Sequence, residues 1–169
     1  MRAVEKIVTG AANFLAVAGL TILLVLATFT LFDGLLRALA NYPLDFVREI
    51  GDLVAAVCGA CCLPIALLYR SNITLRIFEK MLPPAGARLV DAAADLLIAI
   101  VMVGMAWQFF LFSQKTARAN DVTWLMNVPK APFWFVVDAV LWVAAAVQIF
   151  VFIQVITGGR IERSEESAL

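Results

Sequence analysis

The order of apolar and charged positions divides this chain into four long apolar segments joined by short charged ones. No charged residue occurs over the 26 positions from Ile7 to Phe32, the 17 from Leu53 to Tyr69, the 19 from Leu96 to Gln114, or from Ala139 to Gly159. About 20 apolar residues in a helix cross the hydrocarbon core of a bilayer. The pattern therefore predicts an all-α integral membrane protein with four transmembrane helices, at about residues 9–32, 51–69, 89–113 and 131–157.

The first apolar segment is expected to be a retained helix rather than a signal peptide. A signal-peptide core is about 7–15 residues long and ends at a small-residue cleavage site. The run from Ile7 to Phe32 is longer, and no clear cleavage site follows it.

The fourth segment begins with two prolines and a Phe-Trp-Phe cluster, between Val128 and Phe135. Proline is tolerated in the first turn of a helix, and amphipathic aromatic rings settle at the headgroup level of a bilayer. This stretch predicts a helix that begins at Ala131 and enters the membrane at a defined depth. Asp138 then lies about 10 Å along the helix, and the cost of a carboxylate in lipid predicts that it faces protein or water.

The charged connections contain shorter amphipathic patterns. Asp33 to Asp52 is predicted as a loop in which Asp33 pairs with Arg37 and Arg48 with Asp52, each pair four residues apart. Within this loop, residues 43–50 form either an interfacial helix or a solvated loop. Residues 72–82 predict a second interfacial helix, and residues 158–169 a polar tail.

The distribution of lysine and arginine predicts the orientation. Eight of these residues lie in the termini and the central connection, and five in the other two loops. Positively charged loops favour the cytoplasmic side, so both termini are expected there.

Composition excludes several classes of function. Hydrophobic residues make up 63% of the chain and charged residues 15%, whereas soluble domains are nearer half and a quarter. We therefore expect a single membrane domain over residues 1–169. A net charge of zero without a basic stripe argues against nucleic-acid binding. The absence of histidine removes histidine-ligated metals, bis-histidine haem and Ser-His-Asp catalysis, and we expect no cofactor and no metal.

The interior chemistry of the predicted spans is sparse. Cys58, Cys61 and Cys62 lie within one apolar run, where thiols react poorly, so packing is the expected role. No charge lies in the middle of the first three spans, whereas secondary transporters place ionisable groups near the midplane. These features favour a non-enzymatic helper or scaffold subunit. The alternative is a four-helix membrane enzyme that uses the cysteines or aspartates.

Four features in order resemble the DctQ-like small membrane subunits of tripartite ATP-independent periplasmic (TRAP) transporters. The resemblance extends over about residues 10–157. The first feature is Arg37 with Pro43-Leu44 and Glu49, and the second is Cys58-Gly59-Ala60. The third is Arg70 with Asn72-Ile73 and Leu82-Pro83, and the fourth is Thr123-Trp124-Leu125 with Val128-Pro129 and Trp134. The chain departs from the family pattern at Asn72, where histidine is expected, and at Asp138, where glycine is common.

The resemblance implies a fixed partner of a large membrane subunit that carries the moving transport domain and the sodium sites. It further implies a periplasmic substrate-binding protein that delivers an organic acid, sodium-driven uptake, and a place in the bacterial inner membrane. The small subunit of a tripartite tricarboxylate transporter is the alternative; it shares the four spans but not the arrangement from Trp124 to Trp134. The expected structural or subunit-interface residues are Arg37, Glu49, Asp52, Arg70, Trp124, Pro129, Trp134 and Asp138.

Overall fold

The computed structural model describes residues 2–40, 44–68 and 84–156 of this chain. Four α-helices account for most of them: α1 (Arg2–Ala40), α2 (Asp45–Leu68), α3 (Pro84–Ala119) and α4 (Ala131–Ile156). All four are long and apolar enough to cross a membrane by length and composition. The predicted all-α architecture with four spans is confirmed, and α4 begins at the predicted residue.

The helices are longer than the apolar runs from which they were predicted. Helix α1 continues past Phe32 to Ala40, and α3 continues to Ala119. The sequence prediction had placed loops at residues 33–40 and 115–119, and this was wrong. The length of an apolar run indicates how much of a helix crosses hydrocarbon. The helix itself can continue beyond the run where its charged side chains find partners. Arg37 and Asp33, four residues apart in α1, form such a pair at 3.2 Å.

Residues 45–50 also differ from the prediction. They are the first turns of the continuous helix α2 and form neither a separate interfacial helix nor a loop. Arg48 and Asp52 do not form an ion pair within the described part of the chain. The predicted interfacial helix at 72–82 and the polar tail at 158–169, together with Pro43, Arg70 and Asn72, lie outside the described residues.

The helices pack in a row, in the order α1, α2, α4, α3. Helix α1 packs against α2, α2 against α4, and α4 against α3, while contact between any other two described helices is marginal. One buried cluster joins α2, α3 and α4 through Ala60, Cys61, Ala106, Val137, Val140 and Leu141. A second joins α1, α2 and α4 through Ala12, Leu68, Val147 and Val151. The central helices α2 and α4 therefore carry most of the packing.

Helices α1 and α2 approach each other closely at Gly19. A β-carbon placed on Gly19 would lie 2.7 Å from Cys61 Cβ and 3.2 Å from the Cys58 carbonyl oxygen. Small residues permit such backbone proximity in membranes. Gly59, in the predicted small-residue centre of α2, has open space around its Cα and does not make this contact.

The two outer helices expose broad apolar surfaces. Large side chains such as Phe14 and Leu24 of α1 and Leu97 and Ile100 of α3 are 60 to 73% exposed. In a bilayer such surfaces face lipid tails or another membrane subunit. The outer helices thus leave apolar surface available for contacts outside the chain.

Candidate functional site

Asp33 organises the connection between α1 and α2. Its carboxylate accepts a hydrogen bond from the Leu44 backbone N–H at 2.6 Å and one from the Arg37 guanidinium at 3.2 Å. The Leu44 carbonyl in turn accepts from the N–H of Val47 in the first turn of α2. By accepting the N–H of the residue that precedes α2, the Asp33 carboxylate satisfies a backbone donor at the start of that helix. Sequence analysis identified the Asp33–Arg37 pair but missed this second role, because the partner lies 11 residues away.

The end of α3 is closed by a left-handed residue. Asn120 has a φ of 48°. Its N–H donates to the Ala117 carbonyl, and the Asp121 N–H donates to the Thr116 carbonyl, both at 3.3 Å. These two bonds form a Schellman motif, in which asparagine replaces the more common glycine. The motif stops the helix and turns the chain toward α4.

Residues 121–130 form a hairpin-like turn between α3 and α4. The Lys130 N–H donates to the Asp121 carbonyl at 3.0 Å, and the Thr123 N–H donates to the Val128 carbonyl at 2.9 Å. The buried hydroxyl of Thr123 accepts a bond from the Val128 N–H at 3.0 Å. Asn127 supplies the positive φ, 52°, that closes the tip. We call residues 121–130 the hairpin.

Glu49 ties the hairpin to α2. One carboxylate oxygen accepts from the Leu125 N–H at 2.5 Å and the other from the Met126 N–H at 3.0 Å. These are charge-assisted hydrogen bonds that link residues more than 70 positions apart. The amides of the hairpin tip are thereby satisfied by one side chain of a neighbouring helix. Because of this tie, the first turns of α2 and the α3–α4 connection are held together.

The tip displays apolar side chains while its backbone is held. Trp124 is 93% exposed, Leu125 65% and Met126 48%. Exposed apolar groups clustered at one point mark a surface used for contact with lipid or another protein.

Trp134 fixes the base of the hairpin against α3. Its ring centroid lies 5.2 Å from that of Phe112, in an edge-to-face arrangement, and 6.2 Å from that of Phe109. Pro129 lies opposite Val122 in an isolated antiparallel bridge. The aromatic cluster and the bridge together set the angle at which the chain enters α4.

Asp138 lies inside the protein, away from the hairpin. It is 6% exposed, and its Oδ1 has no hydrogen-bond partner within the described residues. On the opposite half of α4, the Gln148 amide donates to the Asp95 carbonyl oxygen of α3 at 3.2 Å. The central polar contacts of the row thus lie between helices rather than toward lipid.

Most of the residues singled out from the sequence lie on one side of the row, where α1 ends, α2 begins and the hairpin joins α3 to α4. Arg37 lies at the α1–α2 connection and Pro129 within the hairpin, whereas Asp138 is apart in the interior and Arg70 is outside the described residues. A single open cleft is lined by Glu49, Asp52, Trp124 and Trp134. Sequence analysis did not predict that these four would meet, since nothing in a linear pattern relates α2 to a loop so far along the chain.

Comparison with known proteins identifies the family. Residues 26–158 match the family described as tripartite ATP-independent periplasmic transporters, DctQ component. The chain belongs to this family. The resemblance found in the sequence is thereby confirmed: the chain is the small membrane subunit of a TRAP transporter, a multi-pass membrane protein and a transporter component. The match supports the DctQ family over the tricarboxylate alternative. The searches of curated proteins and of solved structures returned no match.

Proposed function

We propose that this DctQ-family subunit is a non-catalytic scaffold that supports the large membrane subunit during sodium-driven uptake of an organic acid. In this proposal a periplasmic substrate-binding protein delivers the substrate, and the assembly lies in the bacterial inner membrane. The large subunit carries out transport, and the present chain extends and anchors its stationary part.

The row arrangement of the helices is the observation that carries this proposal. The described helices pack mainly against their neighbours in the row, which makes an open arrangement, here called the plate, rather than a closed bundle around a substrate path. One side of such a plate fits a large partner while the other faces lipid. Family membership supplies the partner, because a DctQ component works within a tripartite transporter.

The packing of the plate supports a structural role. The contacts between α1, α2 and α4 include small or apolar side chains, among them Ala12, Gly19, Cys58 and Ala60. Such contacts bring helix backbones close and leave little room for rearrangement. Glu49 adds a fixed tie between α2 and the hairpin.

Reconstitution tests the scaffold role directly. The large subunit and the binding protein are placed in proteoliposomes with or without this chain, and uptake of the organic acid carried by the binding protein is measured under an inward sodium gradient. Uptake is expected only with this chain present and only with the gradient. Full-rate uptake in its absence would exclude a scaffold role. Uptake that does not depend on the sodium gradient would exclude sodium as the coupling ion but would leave the scaffold role intact.

A cysteine-free variant separates the scaffold from an enzyme. Cys58 and Cys61 are buried and none of the three cysteines is in a disulfide. Replacing Cys58, Cys61 and Cys62 with alanine is expected to leave uptake intact. A triple variant that assembles normally but transports nothing would instead support thiol chemistry.

The same cysteine-free chain tests the proposed orientation, with both termini cytoplasmic. Leu125 is 65% exposed at the hairpin tip, and Ser164 belongs to the C-terminal tail of the sequence. A membrane-impermeant maleimide is expected to label Leu125→Cys in intact cells, and Ser164→Cys only after the cells are permeabilised. The reverse labelling pattern would show that both termini lie on the periplasmic side.

A further inference from the structure

An open cleft of about 830 Å³ lies between α1, the first half of α2 and the hairpin. None of the buried members of the two clusters lines it, although Trp134 lines the cleft and also packs against the first cluster. Its walls combine charged side chains with apolar ones. The cleft therefore suits an occupant with both characters.

The charged groups of the cleft lie toward the hairpin, and two of its apolar groups lie further along the helices. Arg48 lies in the first turn of α2, Asp52 lies one turn further along that helix, and Lys130 comes directly before α4. Leu26 precedes Asp33 by seven residues along α1, which places it about 10 Å further toward the middle of the membrane. Ala55 has the same displacement from Arg48 along α2. The cleft thus carries its free charges toward the hairpin and has apolar side chains at its far end.

Three of the charged groups are available for an external partner. The carboxylates of Asp33 and Glu49 already accept backbone hydrogen bonds. Arg48, Asp52 and Lys130 form no ion pair in the part of the chain that the structure describes, and they line the same cleft. Two cations and one carboxylate complement a ligand that carries a phosphate and a primary ammonium group.

We propose that this cleft binds one phospholipid with a zwitterionic headgroup of the phosphatidylethanolamine type. Arg48 and Lys130 bind the phosphodiester, and Asp52 accepts hydrogen bonds from the ammonium group. The parts of its acyl chains nearest the headgroup lie against Leu26 and Leu53. The lipid fills the gap between α1–α2 and the hairpin, so it acts as a structural component of the subunit.

The separation of charged and apolar groups along the cleft favours a lipid over a soluble anion or a polypeptide. A soluble phosphate compound would use the charged end of the cleft and leave the apolar end unfilled. A transmembrane helix of another subunit would have to bring compensating charges for both signs to the same end of the cleft. A zwitterionic lipid has both the charges for the hairpin end of the cleft and the acyl chains for its apolar end.

Native mass spectrometry of the full chain tests the proposal. The chain is purified in detergent, stripped of lipid and equilibrated with palmitoyl-oleoyl phosphatidylethanolamine or phosphatidylglycerol at equal mole ratios. We expect one phosphatidylethanolamine to be retained. The double variant Arg48→Gln with Lys130→Gln should weaken its binding by about tenfold, since bonds to charged groups are lost.

Arg118, in the last turn of α3, provides a matched control on the same side of the four helices as the cleft. Arg118 is exposed, does not line the cleft and bonds only weakly to Gln114, at 3.5 Å. Arg118→Gln is therefore expected to leave lipid binding unchanged. Equal lipid retention by the wild type and the Arg48/Lys130 double variant would overturn the proposal.

Charge reversal at Asp52 makes the test independent of folding. Asp52→Lys is expected to shift the preference from phosphatidylethanolamine to phosphatidylglycerol, a gain that a misfolded chain does not show. Failure of a folded Asp52→Lys variant to change the preference would overturn the assignment of the ammonium group.

Two further outcomes identify other occupants. Glycerophosphoethanolamine, which has the headgroup without acyl chains, should not displace the lipid, and displacement at equal concentration would show that a soluble headgroup suffices. In the assembled transporter, a benzophenone amino acid at Ala55 should crosslink to phospholipid. A crosslink to the large subunit instead would assign the cleft to a protein partner and overturn the proposal.

Discussion

The close approach of α1 to α2 at Gly19 predicts that a single methyl group there separates the two helices. A β-carbon at this position would lie 2.7 Å from Cys61 Cβ, whereas carbon atoms pack at about 3.5–4.0 Å. The obstructing atoms are a β-carbon and a backbone carbonyl, neither of which moves without its helix. Gly19→Ala therefore forces α1 outward by about 1 Å.

Two opposing effects determine the size of the change. Overpacking of a well-packed contact costs about 1–3 kcal/mol. Alanine is also a better helix former than glycine by about 1 kcal/mol, which offsets part of that cost. Gly10 and Gly34 lie in the same helix and have open space around their Cα atoms, so alanine there gives the propensity gain alone. Relative to these two controls, Gly19→Ala is expected to lose about 1–3 kcal/mol of stability.

Reversible unfolding of the detergent-solubilised chain by dodecyl sulfate, followed by far-ultraviolet circular dichroism, measures these differences. Adding Cys61→Gly to Gly19→Ala removes one of the two obstructing atoms. The double-mutant cycle should therefore show a favourable coupling between the two positions. If Gly19→Ala unfolds like Gly10→Ala and Gly34→Ala, the proposed close contact does not limit the packing.

Two further predictions concern the hairpin. Glu49→Gln removes the negative charge from the side chain that accepts two amide hydrogen bonds at the hairpin tip. Hydrogen exchange at the Leu125 and Met126 N–H groups is therefore expected to accelerate, while exchange within α2 stays slow. Unchanged exchange at the tip would refute the link between Glu49 and the hairpin. Trp134→Ala loses two aromatic contacts worth about 0.5–1.5 kcal/mol each, and should destabilise the chain more than Trp107→Ala, whose ring is 54% exposed; equal losses in the same unfolding assay would contradict the role of this cluster.

Helix existence and helix length differed in how far they could be predicted. Four apolar runs of suitable length predicted four spans, and the proline-aromatic stretch placed the start of α4 at Ala131. The ends of α1 and the start of α2 were misplaced, because charged residues were taken to end a helix. Asp33 shows why they do not: its carboxylate bonds within α1 and also holds the first turn of α2.

The candidate site was predictable only in its components. Glu49, Trp124 and Trp134 were identified through the family resemblance and Asp52 as a charge bordering the second apolar run, and all four line one cleft. The bonds from Glu49 to the hairpin join distant parts of the chain through backbone amides, which every residue possesses. No residue type along the sequence identifies such a partner.

The sequence by itself determined that this chain crosses a membrane four times and belongs with the small TRAP subunits, because hydropathy and local motifs are properties of single segments. Only the tertiary structure decided the order α1, α2, α4, α3, the approach of Gly19 to α2, and the cleft beneath the hairpin. In a bilayer the hydrophobic effect does not distinguish one apolar helix face from another. Pairing is set instead by the fit of small residues and by a few polar contacts, and those exist only once the helices meet.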